Sequence, residues 1–600
     1  MLPYINAPFV KVGSALGTSA DDLKLVFSFY LSYPLAGILK RIPDREPWKK
    51  NIFIISVSLF YLIGLFDLWD GLRTLLISSA AAYVISAKIK SPYMPWIGFV
   101  FLMGHMSINH IDRQRRNDDS VVDITGAQMV MIMKLTAFCW NVQDGRLPDS
   151  ELSDFQRAHA IRELPSILDY AGWVFFFPAL MAGPAFDYCD YRSYITTTMF
   201  SLPPGVDPAK APPTRKKRKI PRSGTPATLR AILGSAWIFA FLKLSAWYNK
   251  DLLLSDQFTR YGFLRRVWIL YMMGLTTRTK YYGVWTLTEG ACILSGIGYN
   301  GIDAVTGRAK WDRLTNIKPL EIELAQNTRG FVGSWNINTN NWLRNYMYLR
   351  VTPKGRKPGF RATLATFVTS AFWHGFYPGY YMAFVLASFV QTIAKNARRN
   401  IRPLFLAPDG KSALPSKRYY DIATFLITQT TFAFTVAPFY LLGFHESMLV
   451  WGRVYFFVLP GVAASFALFS RSLPFRAWLL NTQGQRAGTA STTAKTVDEA
   501  NTSLGSKKIE HVARDEVKSR METQRRYSPE DEDTMPILGM SDDAVADLEE
   551  IVAEVKREVE ERKRGGSLVQ GFDVRKAVDE KVRELKMKGR RSRREDGVAQ

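Results

Sequence analysis

The stretch Thr369-Ser-Ala-Phe-Trp373-His374-Gly375-Phe-Tyr-Pro378-Gly379-Tyr380 lies inside a run from Ala362 to Ala394 that contains no Asp, Glu, Lys or Arg. A bilayer core takes about twenty apolar residues per helical span, and this run is longer than one span. Gly375, Pro378 and Gly379 therefore mark a turn or break within it, with the imidazole of His374 at membrane depth. A titratable ring there loses solvation, so it points to a functional site. A packed histidine donating one N–H to a backbone carbonyl is the plainer alternative.

Outward from that run the chain falls into two phases. Apolar stretches recur near 23–39, 52–69, 72–87, 93–106, 127–140, 171–186, 229–248, 264–276, 284–300, 360–374, 376–394, 420–444 and 450–470. Several are too short to cross alone, which gives a count of about eleven crossings. From Arg471 to Gln600 the sequence is almost free of aromatics and dense in charge. The expected fold is all-α: a polytopic transmembrane helical bundle over 1–470, with re-entrant or broken helices around a buried catalytic chamber. Residues 471–600 form a charged tail, largely disordered. Within it Leu548, Ile551, Val552, Val555 and Val559 fall at helical spacing, the pattern of an amphipathic helix near 542–565. Met1 to Gly17 lacks the pattern of a cleavable signal, so the first span is expected to insert as an anchor.

The overall 47% hydrophobic content hides this division, and the net charge of +24 follows it. Basic residues gather in loops and the tail, as in Arg215-Lys-Lys-Arg-Lys219 and Arg590 to Arg594. By the positive-inside rule both face the cytosol, and a polytopic chain makes nucleic acid a poor partner. Cys139, Cys189 and Cys292 sit in or beside apolar segments without metal-ligand spacing, so packing is expected of them and no metal site. Gly296-Ile-Gly298-Tyr follows no strand pattern, which rejects a dinucleotide fingerprint.

Two further motifs precede the histidine. Gly333-Ser-Trp335-Asn336-Ile-Asn338-Thr339-Asn340-Asn341-Trp342-Leu343-Arg344-Asn345-Tyr346-Met-Tyr348-Leu-Arg350 places asparagines among aromatics. Read as a helix, it sets Trp335, Thr339, Trp342 and Tyr346 on one face and Asn336, Asn340, Leu343 and Arg344 on the next. A carboxamide both donates and accepts, so at depth it holds a carbonyl or a hydroxyl without the desolvation cost of an ion. Helix capping is the alternative use. The segment Lys280-Tyr-Tyr-Gly-Val-Trp285-Thr-Leu-Thr-Glu289-Gly290 carries a lone carboxylate in a neutral span, for which Arg344 is a candidate partner. The glycines at 290, 296 and 298 suit close helix packing.

Together these segments resemble the membrane-bound O-acyltransferase family, and within it the lysophospholipid acyltransferases. The resemblance rests on Trp-His-Gly-x-x-Pro-Gly-Tyr at Trp373 to Tyr380, Trp-Asn-x-x-Thr-x-x-Trp-Leu at Trp335 to Leu343, and Tyr-Tyr-x-x-Trp with Glu and Gly-x-Gly at Tyr281 to Gly298. Asp123 to Met129 with Lys134 is similar to the family's N-terminal half, and the likeness spans roughly 20 to 470. It implies that His374 and Asn336 are catalytic, and that acyl-CoA and a lysophospholipid are the substrates in a lipid bilayer, with acyl-CoA as co-substrate and no cofactor. It also implies residence in the endoplasmic reticulum membrane. Candidate substrate-binding residues are Glu289, Trp335, Asn338, Trp342, Arg344, Tyr348, Ser370 and Trp373. The basic loop Arg350, Lys354, Arg356 and Lys357 is placed to meet the phosphates of coenzyme A. Ser370, one turn before His374, also allows a Ser–His nucleophile. Rival readings are a different acyl acceptor (sterol, diacylglycerol or protein), a transporter, and a membrane scaffold.

Overall fold

A computed structural model describes residues 3–16, 18–116, 121–202, 212–215, 218–303, 306–352, 360–407, 412–469 and 478. The chain divides into two units, Met1–Ser541 and Asp542–Gln600, and every described residue belongs to the first. The amphipathic stripe near 542–565 and the basic cluster at 590–594 lie outside the described residues.

The first unit is all-α. Among the described residues, β pairing is confined to three isolated bridges. The main helices are Ala20–Leu39, Pro47–Leu59 continued by a wide turn to Leu65, Trp69–Lys88, Met94–Arg116, Thr125–Asp144, Gly224–Ser245, Phe263–Ser295, Phe360–His374, Pro378–Asn400 and Lys417–Thr435. Their ends follow local chemistry. Ser19 accepts from the Asp22 N–H to cap the first of these, Pro47 and Pro378 occupy first turns where a missing N–H costs nothing, and Gly296 in the left-handed region closes the long helix.

Among the described residues, three helices are long and apolar enough to cross a bilayer by length and composition, Pro47–Leu65, Gly224–Leu254 and Lys417–Leu441. The pair Phe444–Arg453 and Val458–Phe469, bent by 82°, makes a fourth if counted as one broken span. Other long helices among the expected stretches fall outside this measure, because they carry polar and charged residues into the bundle. Thr125–Asp144 shows why: Met131 to Val142 is buried without interruption, so the helix has no lipid-facing stripe to keep apolar.

Two expected elements differ. The stretches 264–276 and 284–300 are joined in one 33-residue helix, Phe263–Ser295. The Thr276-Thr-Arg-Thr-Lys280 run between them reads as a polar gap, yet Arg278 is only 6% exposed and bonded to Glu323 through Nε and Nη2, both at 2.7 Å. The stretch 171–186 is not one span but the short helices Ile167–Val174 and Phe177–Leu180, broken ahead of Pro178. Cys139 and Cys292 are buried and free. A Cβ at Gly290 would overlap the Tyr33 hydroxyl, so this glycine permits close packing of Ala20–Leu39 on the long helix.

Candidate active site

Helix Phe360–His374 ends at His374 because Gly375 turns left-handed, at φ +117°, a conformation most side chains resist. Pro378 then starts the next helix. The break predicted in the uncharged run is thus a helix–turn–helix corner with the histidine at its tip. The ring of His374 sits among aromatics: Trp373 at 4.7 Å between centroids, Phe439 at 4.9 Å edge-on, Phe384 at 5.2 Å stacked and Tyr380 at 5.7 Å. Its nitrogens make no hydrogen bond to any described residue. The histidine bonded to the backbone at this corner is a different one, His110, whose Nε2 lies 3.1 Å from the Trp373 carbonyl oxygen.

The asparagine segment is broken rather than one helix. Thr328–Ser334 ends, Asn336 takes a left-handed conformation (φ 44°, ψ 54°), and Ile337–Leu343 begins. Asparagine tolerates this region better than most residues, and such strain gathers at functional sites. Asn340 staples the break, its Nδ2 donating at 2.8 Å to the carbonyls of Val332 and Trp335. Asn316, unmarked by sequence reasoning, takes the first N–H groups of the new helix: Ile337 N to its backbone oxygen and Asn338 N to its Oδ1. The Thr339 hydroxyl donates to Asn336 Oδ1 at 2.9 Å, which fixes the carboxamide with Nδ2 as its remaining donor.

The break sorts the candidates onto two cavities. Trp335, Asn336, Ser370 and His374 line one chamber of about 190 Å³, mostly apolar, together with Tyr281, Phe384 and Phe439. Asn338, Trp342 and Arg344 line a second, polar cavity of about 360 Å³, with Lys134, His159, Asp187, Asp190 and Arg313. A continuous helix would keep Asn336 and Arg344 on one face. The left-handed turn and the wide turn Arg344–Tyr348 separate them.

Four candidates line neither cavity. Glu289, 1% exposed, accepts from the Thr315 hydroxyl at 2.6 Å and pairs with Arg230 at 3.4 Å, which corrects the expected Arg344 partner. Trp373 is packed, its Nε1 donating to the Met129 carbonyl, and Tyr348 is buried beneath the segment. Arg350 forks onto the buried Asp144 through Nη1 at 2.7 Å and Nη2 at 2.5 Å, so its donors face a carboxylate and not a phosphate. Lys354, Arg356 and Lys357 lie outside the described residues. Lys134 donates at 2.6 Å to the Trp173 carbonyl near the end of Ile167–Val174, where a cation offsets the helix dipole.

A membrane helical bundle with a histidine and an asparagine facing one buried chamber is the architecture these residues define. The model of the membrane-bound O-acyltransferase family matches residues 117–436. Over 481 residues, 80% of this chain and 92% of the relative, the chain is 45% identical to a protein of Schizosaccharomyces pombe named lysophospholipid acyltransferase. Over 473 residues, 78% of this chain and 76% of the relative, it is 43% identical to a protein of the same name in Saccharomyces cerevisiae. A Homo sapiens relative, membrane-bound glycerophospholipid O-acyltransferase 2, is 28% identical over 67% of this chain and 76% of its own length. The chain belongs to the membrane-bound O-acyltransferase family and is an O-acyltransferase of membrane lipid metabolism.

Proposed function

We propose that this protein transfers an acyl chain from acyl-CoA to the free hydroxyl of a lysophospholipid, with His374 and Asn336 as its catalytic residues. The observation that carries the reading is that these two side chains line one apolar chamber, each with donor or acceptor capacity that no described residue uses. Neutral His374 takes the proton from the lysophospholipid hydroxyl as its oxygen attacks the thioester carbonyl carbon. Asn336 Nδ2, aimed by Thr339, donates to the carbonyl oxygen as negative charge builds there. The C–S bond then breaks, and the departing coenzyme A thiolate recovers the proton from the imidazolium. A thioester is already activated, so direct transfer needs no acyl-enzyme and no nucleophilic role for Ser370.

The polar cavity suits the water-soluble part of acyl-CoA. Arg344 brings a cation to its wall, beside Arg313, which is paired with Asp190, and Lys134, which is bonded to the Trp173 carbonyl; of the expected basic loop, Arg350 is committed to Asp144. A substrate charged in this way docks from the cytosol, which together with the basic loops supports an endoplasmic reticulum membrane protein with a cytosolic tail. The lysophospholipid names of the yeast relatives favour that acceptor over a sterol, diacylglycerol or protein.

Purified protein mixed with acyl-CoA and a panel of lysolipids, followed by thiol release, tests the reading. Release that requires a lysophospholipid and disappears in His374→Ala is the expected result. Release driven only by a sterol or diacylglycerol would assign another acceptor, and undiminished release in His374→Ala would remove the base.

A further inference from the structure

The apolar chamber contains one charged residue that the acyl-transfer chemistry does not use. Arg278, on the Phe263–Ser295 helix, lines the same chamber as His374 and is almost fully buried. Its Nε and Nη2 edge is occupied by Glu323, a carboxylate saturated by further donors: the hydroxyls of Tyr282 at 2.6 Å and Tyr271 at 3.3 Å. The backbone around Glu323 is held by Gln429, whose Nε2 donates at 2.9 Å to the Ile322 carbonyl. Arg278 is therefore paired, which makes its charge tolerable at depth, and rigidly aimed.

The opposite edge is open. Nη1 makes no hydrogen bond among the described residues, and a Cβ on Gly274 would lie 3.2 Å from it. Gly274 also lines the chamber, so the absent side chain leaves the approach to Nη1 clear. A second donor shares this chamber. The Tyr440 hydroxyl is buried, lines the cavity and has no hydrogen-bond partner in the protein. Arg278 is the charged group whose field reaches it. A buried hydroxyl without a partner forgoes a hydrogen bond, a cost that is recovered when a ligand supplies the acceptor.

We infer that the Nη1 edge of Arg278 and the hydroxyl of Tyr440 form an oxyanion site for a substrate phosphate within the chamber that His374 lines. The inference rests on the acyl-transfer reading and adds to it where a phosphate sits. A guanidinium edge and a hydroxyl that both lack an acceptor select an anionic oxygen, and phosphate is the anion that lysophospholipid and acyl-CoA share. Arg278 stands 5.7 Å from the Phe331 ring, which stacks on Phe432 at 4.0 Å. Phe432 precedes Phe439, the edge-on neighbour of His374, by seven residues, or about 10 Å at helical rise. The reacting hydroxyl and the phosphate of one lysophospholipid, a few bonds apart, then share the chamber.

Tyr440→Phe is the deciding variant, because it removes a hydroxyl that bonds nothing in the protein and a purely structural residue would not register the loss. With lysophosphatidylcholine and oleoyl-CoA as probes, it is expected to raise the KM for lysophosphatidylcholine about tenfold. The KM for oleoyl-CoA, kcat and the melting temperature stay unchanged, and monoacylglycerol, which lacks phosphate, is used no worse than by wild type. Arg278→Lys, which keeps the charge but loses the fork, shifts KM in the same direction. A rise confined to oleoyl-CoA keeps the phosphate site and assigns it to the donor. Unchanged KM for both substrates in Tyr440→Phe overturns the site. Turnover by the wild-type protein, measured alongside, tests the acyl-transfer reading separately.

Discussion

The Nε2 of His110 lies 3.1 Å from the carbonyl oxygen of Trp373, the residue immediately before His374. That carbonyl belongs to the last turn of Phe360–His374, where intrahelical donors have run out. His110, from Met94–Arg116, supplies one, and its ring packs so closely on Gly375 that a Cβ there would lie 3.0 Å from Nδ1. Two helices far apart in sequence therefore fix the corner from which His374 projects.

His110→Ala is expected to lower kcat by about ten- to a hundredfold with little change in either KM, the effect of a misplaced catalytic group. His110→Gln, which restores a donor of similar reach, is expected to recover much of the loss. Steady-state kinetics on both variants at matched expression checks this, and an Ala variant with normal kcat would limit His110 to packing.

The carboxamide of Asn336 has a different support. Asn336→Ala is expected to cost about a hundredfold or more in kcat, the scale for losing an oxyanion donor. Thr339→Val, which keeps shape but releases Asn336 Oδ1, is expected to fall between this variant and wild type. Should Thr339→Val equal Asn336→Ala in full, Thr339 would belong to the reacting group itself rather than to its orientation.

The uncharged run announced the His374 corner, since Gly375 and Pro378 leave a helix few other options. The asparagines were legible as a group and not as individuals. Which cavity each one faces depends on the single left-handed residue Asn336, and helical periodicity assumes that no such residue intervenes. Ion pairs were the least legible. Glu289 and Arg278 find Arg230 and Glu323 on other elements, and sequence spacing has no information about which helices will be neighbours. His110 and Tyr440 escaped notice for the same reason, as each matters only through what packs against it.

Arg350 separates a structural from a substrate-binding role. Its guanidinium and the Asp144 carboxylate are 8% and 2% exposed, so Arg350→Ala strands a buried charge and is expected to destabilise the protein by about 3–5 kcal/mol. Thermal unfolding in detergent measures this directly. Arg350→Met combined with Asp144→Asn is expected to regain much of the stability, whereas a phosphate-binding arginine would show a raised KM for acyl-CoA at unchanged stability.

Truncation after Arg471 is expected to leave turnover intact. Every described residue lining the two cavities lies between Met133 and Tyr440, ahead of the charged segment. Loss of activity in a truncated protein that still inserts and folds would bring the tail into the catalytic unit.

Arg344 tests the assignment of the polar cavity. It stands on the wide turn after Ile337–Leu343, beside Asn338 and on the wall it shares with Arg313 and Lys134. If the coenzyme A moiety occupies this cavity, Arg344→Gln removes a cation that faces its phosphates while the acyl acceptor binds elsewhere. The KM for acyl-CoA is then expected to rise about tenfold or more, since hydrogen bonds to charged groups are worth about 1.5–3 kcal/mol. The KM for lysophospholipid stays near wild type, and added salt, which screens the same attraction, moves wild type toward the variant. A variant whose KM rises for lysophospholipid and not for acyl-CoA would exchange the occupants of the two cavities, and would send coenzyme A to the chamber that Arg278 lines.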